Sequence, residues 1–167
     1  NSYIDFQVHR TTDRHYLNTY KYGYKDTLTS FLKLNTHRNS NFYSLESYLF
    51  QDLRQDVDRR TIPKIIPRFI LNLNSEKKMN LPNFETNLEI INLKRNEGSE
   101  TKKFFVNQNI FFPTILNDGT MVNFGAHLNA GIFHIKKYNN PKTGTFKHSE
   151  FKSNLYPQFS VELTKPY

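Results

Sequence analysis

Apolar and polar residues alternate along much of this chain. In residues 3–10, Ile4, Phe6 and Val8 alternate with Asp5, Gln7 and His9, the period-2 pattern of a strand with one buried face. Residues 68–74 repeat the pattern with Phe69, Leu71 and Leu73. Residues 83–91 set Phe84, Leu88 and Ile90 against Glu85, Asn87 and Glu89, and residues 158–164 show Phe159, Val161 and Leu163. The run 103–116 is apolar at both parities, as a central strand would be. Residues 26–35 fit either element, since Leu28, Phe31 and Leu32 suit a helix while Leu28, Leu32 and Leu34 suit a strand. Loop chemistry marks 96–100 and 139–144.

One segment predicts a helix. Over residues 44–60, Leu45, Tyr48, Leu49, Leu53 and Val57 recur at helical spacing. Ser44 can cap the N-terminus, Glu46 lies in the first turn and Arg59-Arg60 in the last, each favourable to the helix dipole. Pro63 and Pro67 then stop continuation.

Asp118-Gly119, flanked by apolar runs, predicts a hairpin pairing 104–116 with 121–133. A two-residue turn would place Ile115 opposite Val122 and Phe111 opposite Ala126. Even positions from Val122 to Ile132 then form one apolar face. His127 falls on the polar face and His134 on the other, so the two histidines cannot share an ion in a regular strand. Gly125, Ala126, Ala130 and Gly131 suggest that a Phe-rich sheet or a helix packs closely there.

Composition changes the picture modestly. The 167 residues suggest one domain, residues 1–167, whose core leans on 15 Phe and 10 Tyr. The first residue is Asn, so a leader or disordered arm is expected upstream. There is no cysteine, which excludes disulfides, thiolate zinc sites and a cysteine nucleophile. No apolar run reaches the roughly 18 residues of a spanning helix, so no membrane span is expected. Net charge is +8, and residues 101–167 carry eight lysines against three acids. That bias favours an acidic partner.

Motifs for nucleophilic, phosphate-binding or metal chemistry are missing. Asp56 and Asp58, on the expected helix, would lie about 200° apart. No enzyme activity, catalytic residue, metal or cofactor is therefore expected. The remaining feature is basic and aromatic interleaving at strand ends and loops: Arg59, Arg60, Lys64, Arg68, Lys77, Lys78, Lys94, Arg95, Lys102, Lys103, Lys136, Lys137, Tyr138, Lys142 and Lys147. Such charges can meet phosphates, and rings can stack on bases. Tyr20, Tyr22 and Tyr24 could form a stacking platform if extended.

The pattern predicts a mainly β, α+β fold: an antiparallel β-sandwich or open barrel of six to eight strands, with one principal helix at 44–60. The expected function is a non-catalytic structural part of a ribosomal or ribonucleoprotein assembly. Its partners would be RNA or another nucleic acid and neighbouring subunits, in an intracellular setting that includes the mitochondrion. The alternatives are a self-assembling virion capsid or tail subunit, and a small ligand-binding or enzymatic β-barrel with His127, Asn123 and Asn129 in a pocket.

Overall fold

The structure, a computed structural model, describes residues 1–13, 15–21, 25–139 and 146–165. They form one eight-stranded antiparallel sheet in which every strand pairs with its sequence neighbours. The strands are β1 (Ser2–Gln7), β2 (Thr27–Arg38), β3 (Asn41–Asp52), β4 (Lys64–Asn74), β5 (Asn83–Lys94), β6 (Glu100–Ile115), β7 (Met121–Asn139) and β8 (Phe146–Thr164). The connections differ at the two ends of the sheet. Residues 8–26, 53–63, 95–99 and 140–145 join strands at one, the long-loop end. Residues 39–40, 75–82 and 116–120 do so at the other, the short-turn end.

The expected helix at 44–60 is absent, and so is the α+β class. Residues 44–52 continue β3, and the described helical structure is limited to α1 (Tyr16–Thr19) and a single 3-10 turn, Arg59–Thr61. The apolar stripe was compatible with either period. As a strand, Leu45 and Leu49 share one face and Ser44, Glu46 and Tyr48 the other. Ser44 caps no helix; its hydroxyl donates to Asn35 Oδ1 at 2.7 Å. Asp58 instead caps the 3-10 turn by accepting from the Arg60 amide. Nor is there a sandwich, since among the described residues no second layer stacks on the sheet.

Strands form where alternation placed them at 68–74, 83–91 and 158–164, and at 103–115, which was read from its apolar run; the strand expected over 3–10 ends at Gln7. The register of β4 slips between Ile65 and Arg68, where Pro67 can donate nothing to the ladder. The β6–β7 hairpin forms as expected but is offset by one residue. Ile115 pairs with Met121 and Phe111 with Gly125. The turn is a three-residue loop: the Gly119 amide donates to Leu116 O at 3.0 Å, and the Leu116 amide to Thr120 O at 2.9 Å. Gly119 sits at φ +82°, the left-handed residue that follows a type I turn in such loops.

Gly119→Val should destabilise the sheet by about 1–3 kcal/mol, because a β-branched residue is strained at positive φ. A lowered urea midpoint is the check. In the same turn Asp118 accepts from the Thr120 amide at 3.0 Å and from its hydroxyl at 2.8 Å, which holds its carboxyl below the usual range. The stabilisation from that turn is present above the ordinary carboxylate range and lost as pH falls through the depressed native value. An NMR titration of Asp118 should show the depression, and Thr120→Val should reduce it.

Candidate functional site

Register assigns each side chain to a face. On the first face lie Ile4 and Phe6 of β1, Leu32 and Leu34 of β2, and Leu45 and Leu49 of β3. Phe69 and Leu71 of β4 and Leu88 and Ile90 of β5 continue it. Phe104, Ile110 and Phe112 of β6, Phe124, Leu128 and Ile132 of β7, and Leu155, Phe159 and Val161 of β8 complete it. This face is mainly apolar, with Thr86 donating to Gln108 within it, and largely uncovered: Phe159 is 83% exposed and Phe6 71%. The alternation was read as one buried face, yet the apolar set is the exposed one.

The second face is polar and more enclosed. Ser44 is 1% exposed and Glu46 7%. Since nothing covers the sheet, that asymmetry means it curls toward the polar side. A ladder of polar groups crosses it from β2 to β6. Ser44, bonded to Asn35, also meets Glu46 Oε1 at 3.0 Å. Tyr48 donates to Glu46 Oε2 at 2.8 Å. Arg68 reaches Glu46 at 3.2 Å and Glu89 at 2.6 Å, and Lys103 meets Glu89 at 3.2 Å. Charges this enclosed persist because each has an opposite partner and further hydrogen bonds.

The ladder continues through amides and imidazole. Asn107 donates to Asn129 at 2.5 Å. His127 contacts Asn109 at 3.1 Å and Ser160 at 3.2 Å, with Phe111 edge-on. A Cβ on Gly125 would strike Ser160 and His127, and one on Gly131 would strike Asn154. These glycines thus make room for polar neighbours on the curled face, not for a packed helix or second sheet. His134 lies on the opposite face, as parity required, stacked on Phe151 at 4.3 Å. Among the described residues no group of three His, Asp or Glu side chains could hold a metal.

The basic residues singled out from sequence separate into three places. Arg59, Arg60, Lys64, Lys94, Arg95, Lys102, Lys136 and Lys137 gather at the long-loop end. There Arg60 bridges Asp58 and Glu97, Arg95 bonds Ser99, and Lys137 pairs with Glu100. Arg68 and Lys103 belong to the polar ladder. Lys77 and Lys78 lie at the short-turn end, Lys78 beside Glu76. Lys142 and the side chains of Tyr138 and Lys147 lie outside the described residues, as do Tyr22 and Tyr24. Sequence reasoning missed the ladder itself. Its signal was the polar parity of each strand, Ser44-Glu46 on β3 and Glu85-Asn87-Glu89 on β5 among them.

An antiparallel sheet that is apolar and uncovered on one face, polar and internally paired on the other, has the architecture of strand-built membrane walls. Residues 1–166 match the family model for LptD, described as LPS transport system D, and the chain belongs to that family. No curated protein matches it. Membership overturns the expected ribosomal or ribonucleoprotein role and its RNA or nucleic-acid partner. It equally overturns the virion subunit and the intracellular, mitochondrial or virion setting. The basic bias misled because it was averaged over the chain. The described residues contain no helix long and apolar enough to cross a membrane, and strands are not bound by that test.

Arg68→Met should destabilise the sheet by about 1–3 kcal/mol. This is below the 3–5 kcal/mol of a fully buried pair because the Arg68 side chain is one-third exposed. Much of the loss should return in the double variant Arg68→Met/Glu46→Gln, measured as a coupling in urea unfolding.

Proposed function

We propose that this sheet is a stretch of β-barrel wall in a lipopolysaccharide transport system of the outer membrane, without enzymatic activity. The apolar convex face meets acyl chains, and the concave face lines a hydrated interior. The carrying observation is an inversion of burial within the sheet: large apolar side chains such as Leu32, Leu45, Leu49, Phe104 and Phe124 are exposed, while Asn35, Ser44, Glu46 and Asn83 are buried. Strands β2 to β8 run 11 to 19 residues, enough for the 9–11 that a tilted strand needs to cross. The two longest connections, residues 8–26 and 53–63, lie at the same end of the sheet, an asymmetry this architecture shares.

The interior suits an amphipathic saccharide cargo. Amides, hydroxyls and paired charges offer many moderate hydrogen bonds to such a cargo. The edges β1 and β8 have no strand partner in the described sheet. In hydrocarbon every backbone N–H and C=O needs one, so in the membrane these edges pair with each other or with further strands.

The natural lack of cysteine makes the test direct. Single cysteines at Phe124, Ala126, Leu128 and Ile132, and at Gly125, His127, Asn129 and Gly131, would carry an environment-sensitive dye in refolded vesicles. Dyes at the even positions should be quenched by lipid-borne quenchers and those at the odd positions by aqueous ones. Uniform aqueous quenching refutes the wall. Leu128→Arg should cost about 2–4 kcal/mol as a charge near the midplane, whereas His127→Arg, facing the interior, should cost far less.

A further inference from the structure

The convex face changes chemistry abruptly at the long-loop end. Along β7 the apolar positions run from Val122 to Ile132, about 33 Å of strand, or roughly 24 Å along a normal inclined at about 45°. Beyond that band, on four consecutive strands, stand Lys64 of β4, Lys94 of β5, Lys102 of β6 and Lys136 of β7. All four are exposed and share the parity of the apolar side chains. Lys64 and Lys94 are direct cross-strand partners, a like-charge pair that is unfavourable without a counterion.

Within the described residues none of the four has an ion pair. Glu100 lies among them, paired with Lys137 at 3.1 Å and directly opposite Lys136 across the β6–β7 ladder, so one carboxylate offsets part of the four charges. The corresponding positions of β4 to β7 at the short-turn end are Leu73, Phe84, Phe112, Thr114 and Val122, with no cation. The asymmetry is therefore a property of one rim.

We propose that Lys64, Lys94, Lys102 and Lys136 form a collar that binds the phosphates of anionic lipids in the leaflet at the long-loop end. The inference rests on the membrane-wall reading above. Lysine suits this place: its methylene stem lies along the apolar band while the ammonium reaches the headgroups. Adjacent strands are about 4.8 Å apart, so the four charges span about 14 Å, a width comparable with one or two headgroups. A phosphate set between Lys64 and Lys94 relieves their mutual repulsion.

The test uses the full chain reconstituted in phosphatidylcholine vesicles with a trace of spin-labelled phosphatidic acid or spin-labelled phosphatidylcholine. The motionally restricted fraction reports lipid held at the protein surface. The anionic label should be preferred about fivefold at low ionic strength, the scale of one lysine near a headgroup layer, and the preference should shrink with added salt. The quadruple variant Lys64→Gln/Lys94→Gln/Lys102→Gln/Lys136→Gln should lose it, while Lys77→Gln/Lys78→Gln at the opposite end should retain it. Equal restriction of both labels by the unaltered chain overturns the collar and leaves the wall intact. Equal loss in both variants also overturns it, since net charge would then explain the preference. If neither label is restricted, the wall reading falls and the collar with it.

Discussion

Seven strand pairings have to agree in parity for this sheet to have two faces at all. Side chains alternate with period two, so a slip of one residue between any two neighbours would turn one strand's apolar set toward the polar side. The observed registers prevent that, though not uniformly. The slip at Ile65–Arg68 shifts the β4 register against both β3 and β5. It inserts the irregularity where Pro67 interrupts the ladder, and Phe69, Leu71 and Leu73 still emerge on the apolar face. The three-residue turn at Asn117–Gly119 has the same consequence at β6–β7. With it, Phe104, Ile110 and Phe112 share a face with Ile132, Ala126 and Phe124. A two-residue turn would have put them opposite the polar parity of β7.

That dependence explains which parts of the molecule were legible. Alternation in single strands is local, and the strands at Ile4–Phe6, Phe69–Leu73, Phe84–Ile90 and Phe159–Leu163 could be read from it. Residues 44–60 could not, because Leu45, Leu49 and Leu53 satisfy a period of four as well as a period of two, and Ser44 resembles a cap. What decides the matter is the partner strand: Asn35 and Arg68 meet Ser44 and Glu46 only in the sheet. The hairpin dipeptide located its turn but not its length, since Asp-Gly serves both two-residue and three-residue loops. Which face is buried was the least legible feature. An alternating strand has the same pattern whether its apolar side meets a core or lipid.

The polar ladder carries the same lesson into the site. Glu46, Arg68, Glu89 and Lys103 are spread over 58 positions of sequence, with no spacing that announces them, yet register sets them side by side on four strands. A search for compact motifs passes over such a group. Its members were read individually, Arg68 and Lys103 as phosphate contacts, because a cation in a sequence carries no sign of the carboxylate that will neutralise it.

Net charge misleads for a related reason. On the strands, the polar face holds Asp5, Glu46, Asp52, Glu85, Glu89, Glu150 and Glu162 against Lys33, Arg68, Lys103 and Lys152, an acidic balance inside a chain of net charge +8. The positive excess therefore lies elsewhere, in the connections and along one rim. A groove for a nucleic-acid backbone would need that excess on a continuous polar surface. Here the surface continuous with the rim lysines is hydrocarbon-like, from Phe104 and Ile132 onward. Cations bordering an apolar face and anions enclosed behind it form a division that suits a boundary between lipid and water. One average charge for the whole chain erases that division.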